Sequence, residues 1–188
     1  MRLTAFVRYV DKEGLKSMTI RVWTGHGMDL DEKLALCYDI IMLSARSGLL
    51  NARGVRTGYT HWLGPELSKE VRFFTGYVSE NALNKGTNIG LVLEHYLGIQ
   101  RELTSLIKKH MEGGENTAEF ITVVKHLEQV HIVTKEENTT LRRKEISGSY
   151  EKAGIPLIHW QEIPFKSRMF LRRKLIGKVA NADEFLAS

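Results

Sequence analysis

The sequence predicts an α+β protein, in which a β-hairpin and several amphipathic helices accompany a strand that runs into a capped helix. Residues 3–10 and 18–24 are rich in β-branched and aromatic side chains, and residues 11–14 between them are typical of a turn. Residues 31–47 repeat apolar side chains at helical spacing. Residues 129–138 combine the alternation of a strand with the signal of a helix N-terminus.

The composition is that of an ordinary globular protein and argues against a membrane-spanning chain. Of the 188 residues, 43% are hydrophobic and 26% are charged. No apolar run reaches the roughly 18–20 residues that cross a bilayer. Arginines interrupt the first ten residues, unlike the apolar core of a secretory signal. Cys37 is the single cysteine, so we expect a thiol packed in the core of a cytoplasmic protein that has no disulfide.

Positive charge is concentrated in the C-terminal part of the chain. The net charge is +5, but residues 1–141 hold 17 basic and 17 acidic side chains, which balance. Residues 142–178 hold ten basic and three acidic side chains and therefore carry a charge of +7. A concentrated basic surface is typical of proteins that bind a polyanion, most often nucleic acid. A basic face that only keeps the protein soluble fits the same counts.

After the predicted hairpin, the helix over 31–47 has its apolar stripe at Leu34, Cys37, Ile41 and Ala45. We expect residues 53–65 to form an irregular loop. Its candidates for contact with a phosphate backbone or an unstacked base are Arg53, Arg56, Tyr59, His61 and Trp62. Core packing is the alternative for Trp62. A second helix is predicted over 66–83, although Gly76 weakens the pattern.

Shorter elements follow between residues 84 and 128. They are a turn at 84–88, an apolar strand at 89–93 and a helix at 97–111. Glu94 and His95 come directly after the strand. Asn116 is then expected to cap another helix, with Glu119 three residues later as the partner in a capping box.

The stretch 129–138 is the most informative part of the sequence. Its side chains alternate between two faces of a strand as far as Thr134, which is a good helix N-cap. Glu137 stands three positions later, where it completes a capping box. Asn138 therefore lies in the first helical turn, and Arg142 lies one turn further along the same face.

This stretch resembles the second strand and helix of the HNH nucleases, which are also called ββα-metal or His-Me finger nucleases. The family phrase is an asparagine, an apolar residue, a variable position, an aromatic residue, Val-Thr, two variable positions and Glu-Asn. The chain has Gln129, Val130, His131, Ile132, Val133, Thr134, Lys135, Glu136, Glu137 and Asn138 at these places. The family also has an earlier strand that ends in an acidic residue and a histidine, as residues 89–95 do.

The resemblance implies a ββα-metal nuclease core and assigns roles to individual side chains. Glu94 and Asn138 would hold a divalent metal, Mg²⁺ or alternatively Mn²⁺, and His95 would be the general base. These residue types suit that chemistry, because Mg²⁺ prefers carboxylate and amide oxygens and keeps several waters. A neutral imidazole beside such a site takes a proton from water near neutral pH.

The chain departs from the family pattern at two places. Gln129 replaces an asparagine that fixes the loop or orients the histidine in the family. The interval 96–128 is longer than the family pattern has. An insertion there is tolerable, because it only has to return the chain to pair with the strand at 89–93. Arg101 follows His95 closely and is a candidate for contact with the scissile phosphate, with a salt bridge to Glu102 or Glu94 as the alternative.

The C-terminal part is predicted to contain a helical turn closed by Gly154, an extended stretch at 155–160 and a helix over 165–179. We expect an apolar stripe at Phe165, Met169 or Phe170, Leu171 and Ile176. The candidates for nucleic-acid contact are Arg142, Arg143 and Lys144, followed by Arg168, Arg172, Arg173 and Lys174. An acidic protein partner is the alternative for this basic helix.

The expected organisation is one compact unit with three parts. These are a hairpin and helical region at 1–88, an HNH-like ββα core with a helical insertion at 89–147, and a basic extension at 148–188. The predicted function is metal-dependent hydrolysis of DNA, in a nuclease of the kind that phages and mobile elements encode in bacterial cells. The alternative is a non-catalytic protein that binds nucleic acid or assists phage assembly through its basic helix, with the Val-Thr-x-x-Glu-Asn match being incidental or the site decayed. Both the nuclease and the non-catalytic protein are compatible with a homo-oligomer.

Overall fold

An antiparallel hairpin, a layer of helices and a four-stranded mixed sheet make up this α+β protein. The computed structural model describes the backbone of residues 3–11, 14–22 and 27–185, and the side chains of 27–185. The strands are β1 Leu3–Asp11, β2 Gly14–Val22, β3 Phe73–Ser79, β4 Leu91–His95, β5 Gln129–Thr134 and β6 Leu157–His159. The α-helices are α1 Leu30–Arg46, α2 Ala52–Gly58, α3 Gly64–Val71, α4 Glu80–Asn84, α5 Ile99–Gly113, α6 Thr117–Leu127, α7 Lys135–Leu141 and α8 Phe165–Leu175.

The predicted N-terminal hairpin is confirmed. Strands β1 and β2 pair antiparallel, from Leu3 opposite Val22 to Asp11 opposite Gly14. Residues 12–13 of the predicted turn and the predicted end of the second strand at 23–24 lie outside the described residues.

The predicted first helix is also confirmed, and it begins with a stronger cap than the sequence suggested. The Asp29 side chain accepts from the Glu32 backbone N–H at 2.9 Å, and the Glu32 side chain accepts from the Asp29 N–H at 3.2 Å. Leu34, Cys37 and Ile41 are buried in the helical layer, so the expected core position of the cysteine is correct.

The expectation for residues 53–83 is wrong in three respects. Residues 53–65 are helical, because the Asn51 side chain caps α2 and the chain continues through the π-helix Tyr59–Leu63 into α3. The single helix predicted over 66–83 is split between α3, β3 and α4, since Phe74, Gly76 and Val78 also fit the alternation of a strand. Trp62 does not anchor the core, because 74% of it is exposed.

The helical layer has its own apolar core, to which α1, α2, α5 and α6 contribute. Its largest fully buried members are Tyr38, Tyr59 and Phe120. Asn116 caps α6 as predicted, by accepting from the Glu119 backbone N–H at 3.0 Å. The Glu119 carboxylate does not complete a capping box in the way that was predicted, since it accepts from Lys109 and lies 3.1 Å from His110 Nε2.

The sheet has the order β4-β5-β3-β6, with β3 and β5 parallel and the other two pairs antiparallel. Val130 and Ile132 of β5 pack with Leu171 and Leu175 of α8 in a second apolar core. The helix predicted over 165–179 therefore exists, but it ends at Leu175. Its predicted apolar stripe is only partly buried, because the members Phe165, Met169 and Ile176 are more than half exposed.

The strand and helix predicted at 129–138 are confirmed as β5 and α7. Thr134 Oγ1 accepts from the Glu137 N–H at 3.1 Å, and the Glu137 carboxylate accepts from the Thr134 N–H at 2.9 Å. This reciprocal pair is the capping box that the sequence predicted. No helix in the described part of the chain is long and apolar enough to cross a membrane.

Candidate functional site

Strand pairing brings together the two segments that carry the resemblance to the nucleases. Strands β4 and β5 are antiparallel neighbours although α5 and α6 separate them in sequence. Glu94 lies opposite His131, and His95 lies opposite Val130. Helix α7 follows β5 directly and contacts both strands. The segment between the two strands thus forms a pair of helices, α5 and α6.

A buried glutamate holds the imidazole of His95. His95 Nε2 lies 2.9 Å from Glu128 Oε2, and the side chains of His95 and Glu128 are 21% and 4% exposed, respectively. Glu128 is the residue between the end of α6 and the start of β5. Because β5 is the neighbour of β4, Glu128 lies next to His95 at the end of β4. The sequence analysis missed this residue, because no local pattern links two side chains that are 33 positions apart.

One further hydrogen bond and one ion pair stabilise the charge of Glu128. The hydroxyl group of Tyr59 donates to Oε1 at 3.2 Å, and Arg72 Nε lies 3.5 Å from Oε2. Burial disfavours the ionised carboxylate, but the hydrogen bond and charge of His95, followed by Arg72 and Tyr59, outweigh it and lower the pKa of Glu128. Glu128 is therefore a buried anion with its partners in place.

Glu94 occupies a different environment from Glu128. Desolvation by burial raises the pKa of Glu94 above its usual range, and the positive charges of Arg142 and His95 oppose this rise. Arg142, which directly follows α7, is therefore close enough to Glu94 for its positive charge to favour the ionised carboxylate. Glu94 is half-buried and has no ion pair among the described residues, so an additional cation would stabilise its ionised form.

Glu94 and His95 line an open cleft of about 520 Å³. One wall comes from the π-helix and the start of α3, through Thr60, His61 and Gly64. Positive side chains approach the cleft from three elements and include Arg72, Arg101 and Arg142. The N-terminus of α5 also lines it, and Gly98 at that N-cap has no side chain to satisfy the free backbone N–H groups. The cleft therefore combines a carboxyl group, an imidazole and an excess of positive charge.

Asn138 lies in α7, one turn before Arg142, but it is not among the described residues that line this cleft. Its Oδ1 atom is buried and has no hydrogen-bond partner among the described residues. An unsatisfied buried amide oxygen costs free energy and requires an explanation, such as a water molecule or a cation. His131 Nδ1 and the hydroxyl oxygen of Tyr150 are also buried and have no hydrogen-bond partner among the described residues.

His131 and Tyr150 form an aromatic group beside Glu94. The His131 ring stacks on Tyr96 with centroids 4.8 Å apart, and it contacts Tyr150 at 5.1 Å and Tyr77 at 5.6 Å. Only 6% of His131 is exposed, and burial lowers its pKa to about 4. Burial also raises the pKa of Tyr150, and the charges of Glu94 and Glu137 add to that effect.

We expect His131 to make the protein less stable in mild acid. The pKa of His131 falls from 6.5 in the unfolded chain to about 4 in the fold, so the unfolded chain binds the extra proton. Its stabilising contribution is complete above pH 6.5 and is lost as the pH falls toward 4, by about 3 kcal/mol. Urea unfolding between pH 7.5 and 4.5 should therefore be less pH-dependent in His131→Phe than in the wild type. The exposed His126 provides the control, because His126→Ala should retain the wild-type slope. Equal slopes in all three proteins would contradict this assignment.

The two supporting residues from the sequence analysis have partners within the fold. Gln129 Oε1 accepts from the Tyr96 hydroxyl at 3.1 Å. Arg101 donates to Glu102 and to Ser147 Oγ, each at 2.8 Å. The salt bridge with Glu102 that was weighed as an alternative therefore exists, and Arg101 lines the cleft as well.

The basic candidates divide into exposed side chains and side chains that bind the fold. Arg142, Arg143 and Lys144 are exposed after α7, and Arg173 is exposed on α8. Arg168 instead donates to the carbonyl oxygens of Ile163 and Gln161, and Arg172 donates to that of Phe185. Lys174 is half-buried, and desolvation followed by the nearby charges of Lys178 and Lys135 lowers its pKa. The segment after α7 thus offers the more accessible positive charge.

Within residues 27–185, no group of three or more His, Cys, Asp or Glu side chains is arranged to hold a metal ion. Comparisons with protein-family models, with curated proteins and with solved structures find no match to this chain.

Proposed function

We propose that this protein is a metal-dependent endonuclease that hydrolyses phosphodiester bonds of DNA, with His95 as the general base. The observation that supports this most strongly is the imidazole of His95, held 2.9 Å from a buried carboxylate beside Glu94 in a cleft with three arginines. An oriented histidine within reach of a bound phosphate is the arrangement that activates a water molecule. The HNH-like order of strand, strand and helix in β4, β5 and α7 supports the same proposal.

Glu94 and Asn138 are the proposed ligands of a divalent cation, Mg²⁺ or Mn²⁺. The Oδ1 atom of Asn138 has no hydrogen-bond partner in the described part of the chain, and the pKa of Glu94 is raised. Both observations fit this role, because each group would gain from a positive charge. When bound, such a cation stabilises negative charge on the phosphoryl group and on the leaving oxygen. A site with two protein ligands suits Mg²⁺, which keeps several of its waters.

The arginines of the cleft are the proposed contacts for the phosphate backbone. Arg101 and Arg142 line the cleft, and the free N–H groups at the start of α5 add the positive end of a helix dipole. Arg143, Lys144 and Arg173 extend the positive surface beyond it. Contacts of this kind position nucleic acid without reading its sequence.

One observation favours the alternative, a non-catalytic protein that binds nucleic acid or takes part in phage assembly. Asn138 is not among the described residues that line the cleft of Glu94 and His95. The HNH-like constellation would then be a remnant, and the arginines alone would carry the function. Under this alternative, binding to DNA depends strongly on salt and no strand is cut.

The test is the nicking of supercoiled plasmid by the purified chain in millimolar Mg²⁺ or Mn²⁺, with EDTA as the blank. We expect metal-dependent nicking, and we expect Asn138→Ala to slow it at least about 100-fold through loss of a metal ligand. Asn138→Asp keeps an oxygen donor and should retain more activity than Asn138→Ala. Thr139→Ala, at the next and exposed position of α7, is the matched control with the wild-type rate.

Two outcomes would overturn the proposal. The first is a folded wild type that binds plasmid but does not nick it with either metal. The second is nicking that Asn138→Ala leaves unchanged. Binding that weakens steeply with salt, in the absence of cleavage, would instead support the non-catalytic alternative.

A further inference from the structure

We infer that Glu128 is a positioning residue for His95, which fixes the proton on Nε2 and leaves Nδ1 as the nitrogen that accepts a proton in the cleft. This inference rests on the proposed nuclease function, in which His95 activates water. It assigns a role to a residue that lies before the HNH-like phrase and outside it.

The assignment of the tautomer follows from the donors and acceptors at the contact. Glu128 Oε2 lies 2.9 Å from His95 Nε2, and an ionised carboxylate can only accept a hydrogen bond. The neutral imidazole must therefore carry its proton on Nε2. Its lone pair is then on Nδ1, which is the ring atom able to act as a base.

The surroundings of Glu128 allow it to hold this orientation. Its backbone N–H donates to Val124 O at 2.9 Å, and its carbonyl oxygen accepts from the Phe73 N–H at 3.1 Å. Its carboxylate is held by Tyr59 at Oε1 and by Arg72 near Oε2, as well as by His95. A carboxylate that is held on both oxygens and by its backbone presents a rigid acceptor to the imidazole.

The chain offers a matched pair of variants for testing this role. Glu128→Gln keeps the size of the side chain but replaces the anionic acceptor with an amide. Glu112→Gln makes the same change at a glutamate of α5 that is 69% exposed and is not among the described residues lining the cleft, so it is the control. A merely structural Glu128 would change stability but not the tautomer of His95, whereas a positioning residue changes the tautomer and kcat.

The experiment combines long-range ¹H–¹⁵N correlation spectra of the histidine side chains at about pH 8 with plasmid nicking rates. We expect the wild type and Glu112→Gln to show the Nε2–H tautomer of His95 and to cleave at the same rate. Glu128→Gln should show a mixture of tautomers, with kcat lowered about 10²–10⁴-fold and KM nearly unchanged. Glu128→Asp retains a carboxylate at a shorter reach and should fall between the two.

The results separate this inference from the proposed function. A wild-type His95 with its proton on Nδ1 would overturn the inference, and so would a folded Glu128→Gln protein that cleaves at the wild-type rate. A wild type that shows the Nε2–H tautomer but cleaves no DNA would leave the Glu128 contact established and would reject the nuclease proposal. If Glu128→Gln does not fold, the wild-type spectrum and Glu128→Asp still decide the question.

Discussion

Replacing His95 with alanine is expected to lower metal-dependent cleavage about 10²–10⁴-fold, because general-base catalysis contributes an effect of that size. His95 lies at the end of β4, is partly exposed in the cleft and is held by Glu128 at 2.9 Å. Its removal takes away the proposed proton acceptor and leaves Arg101 and Arg142, the proposed contacts for the phosphate backbone, in place. We therefore expect kcat to fall while affinity for plasmid, measured by a gel-shift titration without metal, changes little.

The control for this prediction is a histidine that has no place in the cleft. His126 is exposed on α6, so His126→Ala should cleave at the wild-type rate. Purification of both variants in parallel also measures any contaminating host nuclease. If His95→Ala cleaves plasmid as fast as the wild type, His95 is not the base.

Replacing Glu137 with alanine is expected to destabilise the fold by about 3–5 kcal/mol, a large part of the stability of a domain. The Glu137 carboxylate accepts from Thr134 N at 2.9 Å, from Ser79 Oγ at 2.6 Å and from Asn81 Nδ2 at 3.0 Å. It thereby joins the start of α7 to the end of β3 and to α4. Its loss leaves three donors without this acceptor in a buried region, and urea unfolding measures the cost.

The neighbouring glutamate serves as the control. Glu136 is exposed, and its only described ion pair is with Lys85 at 3.6 Å. Glu136→Ala should therefore leave the urea midpoint almost unchanged. A Glu137→Ala protein as stable as Glu136→Ala would show that the three contacts of Glu137 are not needed for the fold.

Elements that depend on local interactions were predicted well from the sequence. The hairpin, α1 and the pair β5–α7 each depend on interactions between side chains a few positions apart. Both residues of the capping box, Thr134 and Glu137, were predicted correctly. Such interactions form between near neighbours, so the sequence pattern contains them. The resemblance to the nucleases also implied that the chain returns after residue 128 to pair with the earlier strand, and β5 does pair with β4.

The region 53–83 could not be predicted in this way. The apolar spacing of Phe74 and Val78 fits a helix and a strand equally, and pairing with β5 and β6 selects the strand. Helix α2 contains Gly54 and Gly58, which argue against a helix locally. Val55 of α2 and Tyr59 of the π-helix that follows are nevertheless buried in the helical core. Burial in that core outweighs the weak local propensity.

In the candidate site, too, some features were predicted from the sequence and others depend on the fold. The resemblance of the sequence to the HNH nucleases was sufficient to single out Glu94, His95 and Asn138 as candidates, and their roles remain predictions. The contact of His95 with Glu128 and the approach of Arg72 and Arg142 arise only when distant segments meet in the fold. Long-range contacts depend on how the sheet and the helical layer pack, and one chain contains no local signal for that packing.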